Sequence, residues 1–526
     1  MHAQGGPVPY PGHWAIETPD KPAFIMAGTG AATSYRDLND RSNQFAQLMW
    51  DAGLRFGDHI AVLMDNNDRY LEVCWAAQRM GLFYTAINWH FTADEAAYII
   101  DDCDARVLVV SDATRNVAAD LRELMPRVEV RLIVGGDLDG YDRYEDAIAK
   151  YPAEPIADEC EGTPMLYSSG TTGRPKGIRY SVSKEPVGQM PANLLLMTAL
   201  FGFGQDSVYL SPAPIYHSAP LFYCMSMLRL GGTVVIMEHF DALRALEYIE
   251  LYQVTNSQWV PTMFVRMFKL TDEERARFDL SSHRSAVHAA APCPVEVKQK
   301  MIDWWGPIVW EYYSATEGMG ATAVSPTEWL ERPGTVGRTL LGPIHICDDD
   351  GNVLGPNEVG TVWFAPRDGA SGAGFQYHKD EDKTADAVDD RGWATVGDMG
   401  YLDDDGYLFL TDRKTFMIVS GGVNIYPQEA ENLLVTHPNV YDVAVFGIPD
   451  DEMGERVHAV VQPVDMNEAG PELARELLAF CKERLAGYKC PKAIDFDPDL
   501  PRQPTGKLYK RLIRDRYWGN KTSRIV

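Results

Sequence analysis

Short apolar runs alternate with amphipathic helical patterns through most of this chain. The runs at 60–64 and 106–110 have the length and composition of buried strands, and the segments 35–50 and 68–80 repeat apolar residues at helical spacing. Alternation of this kind favours α/β layers on largely parallel sheets, because a helix fills each crossover between parallel strands. Ser34, directly before the first helical pattern, is a candidate N-cap residue.

The pattern changes after about residue 334, where acidic glycine turns multiply between β-rich segments. This change predicts a β-rich subdomain that closes a large N-terminal domain of two layered α/β sheets. The remaining residues again mix helix and strand patterns, as in a small α+β domain. With 526 residues the chain has room for several such units, at about 150 residues each. We place the domain boundary at 412–415, between an N-terminal domain over 1–411 and a C-terminal domain over 416–526.

The charge balance limits the partners of this chain. A formal net charge of −27 and a pI of about 4.8 argue against nucleic acid and anionic membranes, which require basic surfaces. No stretch reaches the roughly 18 apolar residues that span a bilayer, and the N-terminus has no signal-peptide pattern. The eight cysteines are scattered without a Cys-x-x-Cys pair, which favours reduced thiols. We expect a cytoplasmic enzyme, and homodimerisation stays open.

The stretch 167–177, Tyr-Ser-Ser-Gly-Thr-Thr-Gly-Arg-Pro-Lys-Gly, combines three glycines, four serine and threonine hydroxyls and two basic side chains. Glycines let backbone N–H groups approach a ligand closely, and such donors suit phosphate oxygens. The usual NTPase loop ends in Gly-Lys-Ser/Thr, whereas here Lys176 precedes Gly177. From the residues alone, a polyphosphate cradle and a flexible surface loop both remain open.

This ordered string resembles the signature of the adenylate-forming superfamily, which includes acyl-CoA synthetases, aryl-CoA ligases, luciferases and peptide-synthetase adenylation domains. Further motifs of that superfamily follow in its order and cover essentially the whole chain. They are His-Ala-Ala-Ala-Pro at 288–292, Tyr-Ser-Ala-Thr-Glu at 313–317, Gly-Asp at 397–398, Ser-Gly-Gly-Val-Asn at 420–424 and Pro-Arg-Gln-Pro-Thr-Gly-Lys at 501–507. The chain is therefore identified as similar to AMP-dependent acyl-CoA synthetases.

The resemblance implies an ATP site. By this resemblance Tyr313 lies on the adenine, and the small-residue segment 288–292 lies beneath the adenine ring. Thr316 contacts the α-phosphate, and Glu317 binds Mg²⁺, a cation that prefers carboxylate and phosphate oxygens. Asp398 holds the ribose hydroxyls, and Arg413 contacts ribose and phosphate. The implied ATP- and AMP-binding residues are Ser168, Ser169, Gly170, Thr171, Thr172, Gly173, Lys176, Ala290, Glu311, Tyr312, Tyr313, Thr316, Asp398, Arg413 and Lys507.

The same resemblance makes Lys507, Thr316 and Glu317 the catalytic residues. A lysine near a chain end is ordinarily a solvated charge, but Lys507 stands in the motif of the superfamily's catalytic lysine. Attack of a carboxylate on the α-phosphate of ATP brings like charges together, and a lysine there compensates the charge of the transition state. The basic residues that follow could attract the phosphates of coenzyme A, or form an ordinary amphipathic helix, which we favour.

A second set of expectations concerns coenzyme A and the hinge. Gly421 and Gly422 match the loop that faces the active site in the thioester-forming state, where they would leave room for pantetheine; they also suit a turn before a helix at Pro427. Rotation of a small mobile C-terminal lid about 412–415 is expected. The hinge position, usually Lys or Asp in the superfamily, is Thr415 here. This departure leaves the hinge location in place and leaves the usual charged contact open.

The acid is the least constrained part of the site. The small residues Ala289 and Ala315 favour a medium-chain, long-chain or bulky acid, although Trp259 could shorten the pocket. The alternative is a cinnamate-like aryl acid or an acid with a steroid side chain. The expected acyl-pocket residues are Tyr216, His217, Trp259, Met263, Ala289 and Ala315.

Other functions within and outside the superfamily have their own signatures. Amino-acid activation is disfavoured, because no aspartate lies at 216–218 and no carrier domain follows before Val526. Luciferase-like oxidation remains open as a rare specialisation. A catalytically silent nucleotide- or acyl-CoA-binding protein would have lost Lys507, Glu317 or Asp398, and all three are present. We therefore expect an ATP-dependent acid–CoA ligase.

Overall fold

The computed structural model describes residues 10–168, 175–188, 192–366, 374–413, 415–450, 452–502 and 508–518. The chain divides into two compact units. The first unit comprises Met1–Gln258, Asp272–Val287 and Gly374–Ala385, and the second comprises Trp259–Thr271, His288–Ala373 and Asp386–Val526. The predicted boundary at 412–415 falls inside the second unit and stays a prediction.

A six-stranded parallel sheet organises the first unit, and it contains both strands expected near residues 60 and 106. Every residue of His59–Leu63 and Val107–Ser111 is buried, as expected for parallel strands covered on both faces. In spatial order the strands of this sheet are Asp142–Arg143, Val130–Val134, Val107–Ser111, His59–Leu63, Phe83–Ala86 and Thr163–Pro164.

The first unit has two further groups of strands. In spatial order one group is Ser285–His288, Asn256–Trp259, Val208–Ser211, Thr233–Ile236, Pro22–Met26 and Ala32–Ser34. The other is a three-stranded antiparallel sheet in the order Phe375–Tyr377, Lys176–Tyr180 and Leu166–Ser168. Two strands of this small sheet are the stems of the predicted phosphate-binding stretch.

Helices fill the crossovers of the first unit. Ser34 caps Tyr35–Asp51 as predicted, since its hydroxyl accepts a hydrogen bond from the Asp37 N–H at 3.1 Å. The helices of this unit are Pro11–Glu17, Tyr35–Asp51, Tyr70–Arg79, Ala93–Asp102, Arg115–Leu121, Tyr144–Ile148, Ala192–Phe201, Ser218–Leu230, Ala242–Leu251, Asp272–Arg275 and most of Glu381–Ala387.

The second unit contains the predicted β-rich region. Its four-stranded antiparallel sheet has the order Ile344–Cys347, Gly360–Phe364, Asp398–Leu402 and Leu408–Arg413. Three more antiparallel strands are Val309–Ser314, Ala321–Val324 and Arg338–Thr339, and nearby helices are Pro261–Met267, Val295–Trp305 and Pro326–Glu331. The expected α/β fold with a β-rich part is confirmed.

The C-terminal part of the second unit combines a five-stranded sheet with helices, and an apolar core lies between them. The basic segment after Lys507 enters a helix, which agrees with the helical alternative. The strands are Ile418–Ser420, Val423–Ile425, Val440–Asp450, Gly454–Pro463 and Ala493–Phe496, and the helices are Pro427–Leu434, Pro471–Arg484 and Lys510–Trp518.

Two expectations from composition can be compared with the described part of the chain. No helix in it is both long enough and apolar enough to cross a membrane. All eight cysteines are free thiols, in agreement with the scattered spacing.

Candidate functional site

Three of the predicted nucleotide-binding residues form one hydrogen-bonded group in the second unit. The Tyr313 hydroxyl donates to Asp398 Oδ2 at 2.6 Å, and Arg413 Nε donates to Asp398 Oδ1 at 3.0 Å. Asp398 and Arg413 are paired residues on the neighbouring strands Asp398–Leu402 and Leu408–Arg413. The sheet register and the tyrosine together hold the Asp398 carboxylate in one orientation.

Burial sets the protonation states in this group. Burial and the neighbouring Asp398 carboxylate raise the pKa of Tyr313 well above its ordinary value, so the hydroxyl stays a donor. Burial lowers the pKa of Arg413, but Asp398, Tyr313 and Glu317 outweigh that effect and the pKa lies above its ordinary value. A carboxylate has about four acceptor sites, so Asp398 can accept two neighbouring hydroxyls besides its protein donors.

A tight turn follows the strand that carries Tyr313. The Ser314 hydroxyl donates to the Gly320 carbonyl at 2.8 Å, and the Gly318 N–H donates to the Ala315 carbonyl at 3.0 Å. Gly318 has a φ of +67°, which a glycine adopts at little cost. The turn contains Thr316 and a Glu317 side chain that is 7% exposed. The described residues contain no cluster of three or more histidines, cysteines or acidic residues that could hold a metal ion.

Glu311 is one of the predicted nucleotide-binding residues, and its carboxylate is engaged in the core. It accepts a hydrogen bond from Lys298 Nζ at 2.5 Å, and His288 Nε2 lies 3.5 Å from the same oxygen. Burial raises the pKa of Glu311 and lowers that of Lys298, and the opposite charge of each partner works against the shift. The Glu311 side chain therefore supports the strand of the Tyr313–Glu317 motif from within the core.

Sequence reasoning missed Lys298. It lies on the buried face of the helix Val295–Trp305, next to Val297 and one turn before Met301. A lysine on the apolar stripe of an amphipathic helix requires a buried anionic partner, because an unpaired buried charge is very costly. The position of Lys298 on the apolar stripe was therefore the sequence signal for a buried anionic partner.

The predicted adenine segment begins where the strand Ser285–His288 ends. Ala290 has a φ of +75°, a left-handed conformation that costs a non-glycine residue about 1–2 kcal/mol. Ala289 is buried, and its N–H donates to the Trp259 carbonyl at 3.3 Å. Strained backbone of this kind clusters at functional sites, where the surrounding structure maintains it.

The six predicted acyl-pocket residues are divided between the two units. In the second unit Trp259 is fully buried and packs against Phe264 and Trp305, with ring centroids 6.2 and 5.6 Å away. In the first unit the rings of Tyr216 and His217 lie 4.1 Å apart, just before the helix that starts at Ser218. Met263 and Ala289 are buried in the second unit, and Ala315 is half-buried there. One common pocket stays a prediction.

The stems of the predicted phosphate-binding stretch are both contacted by one helix, Ala93–Asp102. On the first stem, the Tyr167 hydroxyl donates to the Asp102 carboxylate. On the second stem, the Tyr98 hydroxyl donates to the Pro175 carbonyl at 3.2 Å. Because Tyr98 and Asp102 are four residues apart, they lie on one face of the helix. These two supporting residues were not predicted.

Lys176 pairs with Asp380 in the first unit. Its ammonium group donates to Asp380 Oδ2 at 2.6 Å, and Lys176 is paired in register with Ser168 on the opposite stem. A phosphate that reached Lys176 would compete with the Asp380 carboxylate. Six predicted residues lie outside the described part of the chain, namely Ser169, Gly170, Thr171, Thr172, Gly173 and Lys507.

The predicted coenzyme A residues form an exposed turn between two short strands. Gly421 and Gly422 have φ values of +56° and +79°, and the Gly421 N–H donates to the Met453 carbonyl at 2.8 Å. A Cβ atom at Gly421 would lie 2.3 Å from Met453 Cε. The predicted hinge residue Thr415 is exposed, in the turn that follows Leu408–Arg413.

Two family models match this chain. The model described as AMP-binding enzyme matches residues 12–372, and the model described as AMP-binding enzyme C-terminal domain matches residues 429–507. The first match contains Tyr313, Thr316 and Glu317, and the second ends at Lys507. Asp398 and Arg413 lie between the two matched regions.

This chain aligns with known proteins over nearly the whole length of both partners. A fatty acid–[acyl-carrier-protein] ligase, ScoC, from Streptomyces coeruleorubidus is 30% identical over 97% of this chain and 96% of ScoC. A feruloyl-CoA synthase from an Amycolatopsis species is 31% identical, over 93% of this chain and 94% of that protein. The crystal structure of ATP-bound MatB from Rhodopseudomonas palustris has a TM-score of 0.78 at 27% identity, covering 97% of this chain and 99% of MatB.

Proposed function

This chain belongs to the AMP-binding enzyme family, and from that premise we propose that it is an ATP-dependent ligase that joins a carboxylic acid to coenzyme A. The observation that carries the proposal is the Tyr313–Asp398–Arg413 group. It presents an oriented carboxylate, suited to two ribose hydroxyls, within 3.0 Å of an arginine that suits phosphate. The buried Glu317 and the strained turn at Ala290 belong to the same unit.

In the first step the acid attacks ATP. A carboxylate oxygen forms a bond to the α-phosphorus, and the bond from that phosphorus to the oxygen shared with the β-phosphate breaks. Pyrophosphate leaves with the electron pair, and an acyl-adenylate remains. Asp398 would hold the ribose, Thr316 the α-phosphate, and Lys507 would offset the negative charge that gathers there.

The site would suit a Mg²⁺ ion whose ligands come from both the protein and the nucleotide. Mg²⁺ takes few protein ligands and binds mainly phosphate oxygens and water, so one well-placed carboxylate is sufficient. Glu317 supplies such a carboxylate, close enough to Tyr313 and Arg413 to influence the pKa of both. When bound, the ion would reduce the negative charge of the phosphates.

In the second step the thiol of coenzyme A attacks the acyl carbon. A carbon–sulfur bond forms, the carbon–oxygen bond to AMP breaks, and the thiol proton is released. We propose that the part of the chain after 412–415 rotates between the steps, which moves Lys507 away and brings Gly421 in. Lys269 Nζ donates to the Val440 carbonyl at 2.9 Å, a contact that this rotation would break.

For the acid we propose a medium- or long-chain fatty acid or another bulky acid. The small side chains of Ala289 and Ala315 support this proposal, because they leave volume beside the predicted adenine segment. The two curated relatives named above activate a fatty acid and an aryl-propenoic acid, so a cinnamate-like acid is the alternative. A steroid side chain is a further bulky candidate.

A pyrophosphate-release assay over a panel of fatty, aryl and steroid acids tests the proposal. We expect release with at least one acid class in the presence of ATP and Mg²⁺, and acyl-CoA when coenzyme A is added. An acyl carrier protein as alternative acceptor tests the choice of thiol. Nucleotide binding without release for any acid would favour the silent binding protein instead.

A substitution at Gly421 is expected to affect the two half-reactions differently. Replacing Gly421 by leucine adds a Cβ atom only 2.3 Å from Met453 Cε, at a backbone φ of +56°. We expect acyl-adenylate formation to persist, while thioester formation falls by about 10²-fold because the path of the thiol is blocked. Single-turnover assays of each half-reaction measure this difference.

Gly487→Leu provides the matched control for that variant. Gly487 lies in the same C-terminal part of the chain. Among the described residues, apart from its two chain neighbours, no atom lies within 4 Å of a Cβ built there. Both half-reactions should persist in this variant. Unimpaired thioester formation by Gly421→Leu would contradict the assigned role of the turn.

A further inference from the structure

A buried charge junction lies beneath the predicted nucleotide segments. We call the side chains of His288, Lys298 and Glu311 the 298/311 junction. Lys298 and Glu311 are paired at 2.5 Å with side-chain exposures of 1% and 7%, and His288 is fully buried 3.5 Å from the same carboxylate oxygen. The ammonium group of Lys298 also lies 4.9 Å from the centroid of the Trp329 ring.

Two members of the 298/311 junction, His288 and Glu311, lie on strands that lead to predicted nucleotide contacts. His288 ends the strand Ser285–His288 and directly precedes the turn at Ala289 and Ala290. Glu311 lies two residues before Tyr313 on one strand, so both side chains lie on the same face of that strand. Lys298 lies on the helix between these two strands. The Lys298–Glu311 ion pair therefore joins the strand of Tyr313 to the helix that follows the Ala289–Ala290 turn.

Stability alone is a poor reason for such a junction. Removing two charges from water is costly, and well-packed apolar residues often replace a buried ion pair without loss of stability. What a short ion pair adds is a defined distance and direction between the two elements that carry it. The cation–π contact with Trp329 adds a further restraint on the ammonium group.

The charge states of the junction are consistent with an ion pair next to a neutral imidazole. Burial and the nearby Lys298 ammonium group lower the pKa of His288 well below its ordinary value. A neutral His288 does not compete with Lys298 for the Glu311 carboxylate as a second cation would. Lys298 is therefore the single cation of the junction.

We propose that Lys298 and Glu311 are positioning residues for nucleotide binding: their ion pair sets the spacing between the Ala289–Ala290 turn and Tyr313. The proposal rests on the proposed function in one respect, namely that the adenine binds between these segments. It assigns a positioning role to Lys298. The Glu311 carboxylate, in this proposal, positions Tyr313 and does not itself contact the nucleotide.

A double variant, Lys298→Leu with Glu311→Leu, tests the proposal. Apolar residues of similar volume should preserve the fold, so we expect a thermal unfolding midpoint close to wild type. AMP affinity, measured by titration calorimetry, should fall by about tenfold or more, because the two segments lose their fixed spacing. In turnover assays KM for ATP should rise while KM for the acid stays near its wild-type value. A stable double variant that binds AMP like wild type would overturn the proposal.

Glu311→Gln keeps the test decisive if the double variant does not fold. The amide retains the volume and an acceptor but loses the charge, and we expect a smaller loss of AMP affinity in a folded protein. Unchanged affinity in this variant would then contradict the proposal.

The control is a second ion pair on the same helix. Lys300 Nζ lies 2.7 Å from Glu296 Oε1, and both side chains are more than half exposed. Lys300→Leu with Glu296→Leu should leave AMP affinity unchanged. Because AMP binding requires neither acid nor thiol, a failed acid screen would refute the ligase and leave this measurement valid. A wild-type protein that binds no AMP would overturn the positioning role as well.

Discussion

Lys507→Ala is expected to slow acyl-adenylate formation by about 10²- to 10³-fold, the usual effect of removing one group that stabilises transition-state charge. The physical reason is that a carboxylate and a phosphate, both negative, must approach each other before the bond forms. Thioester formation from supplied acyl-adenylate should be largely spared, because that step involves no such approach. The two rates are measured separately, with pyrophosphate release for the first step and acyl-CoA formation for the second.

Lys482→Ala is the matched control, because Lys482 is an exposed lysine on the helix Pro471–Arg484 in the same C-terminal part of the chain. Both half-reactions should proceed at wild-type rates in that variant. An unchanged rate of adenylation in Lys507→Ala would refute the catalytic role of Lys507. Equal losses in both steps would mean that the lysine maintains the fold instead of the first transition state.

Asp398→Asn is expected to raise KM for ATP by about 10²-fold or more, because two hydrogen bonds to a charged acceptor contribute about 1.5–3 kcal/mol each. The asparagine preserves the shape of the side chain beside Tyr313 and Arg413, but it offers one acceptor oxygen and no charge. Affinity for AMP should fall in parallel, since the ribose is common to both nucleotides. Steady-state kinetics with varied ATP and calorimetric titration with AMP measure the two effects.

Asp404→Asn serves as the comparison, since Asp404 is exposed in the turn after Asp398–Leu402. Its KM for ATP should equal that of wild type. If Asp398→Asn kept wild-type affinity for AMP, the ribose contact would be wrong. Loss of the native fold in Asp398→Asn would identify the group as mainly structural, and a thermal melt distinguishes that case.

Much of the fold followed from local patterns. The strand His59–Leu63 and the helix Tyr35–Asp51 appear within a residue of their expected places, and Ser34 caps that helix. These elements were predictable because burial on both faces leaves a continuous apolar run, while a single buried face leaves helical periodicity. The turn at Gly421 and Gly422 was likewise readable from its glycines.

The residues that support the site were harder to predict. Tyr98 and Asp102 act through partners that are distant in sequence, and Lys298 acts through a partner on the next strand. None of the three stands in a motif. Glu311 shows the converse difficulty. Its place in a motif suggested nucleotide contact, whereas its carboxylate accepts a hydrogen bond from Lys298. A one-dimensional pattern names residue types at fixed spacings, but it does not say toward which neighbour a side chain turns.

The sequence by itself determined the family, the kinds of element and the residues available for chemistry, because backbone preferences and motif spacings are local properties. Only the tertiary structure decided that Tyr313 and Arg413 both donate to Asp398. Asp398 and Arg413 are paired on neighbouring strands, and Tyr313 comes from a strand of another sheet. The tertiary structure also decided that Lys298 satisfies Glu311 in the core and that Lys176 pairs with Asp380. Which charge neutralises which depends on distances of a few ångströms between elements far apart in the chain, and burial makes those distances decisive by removing the water that would otherwise screen them.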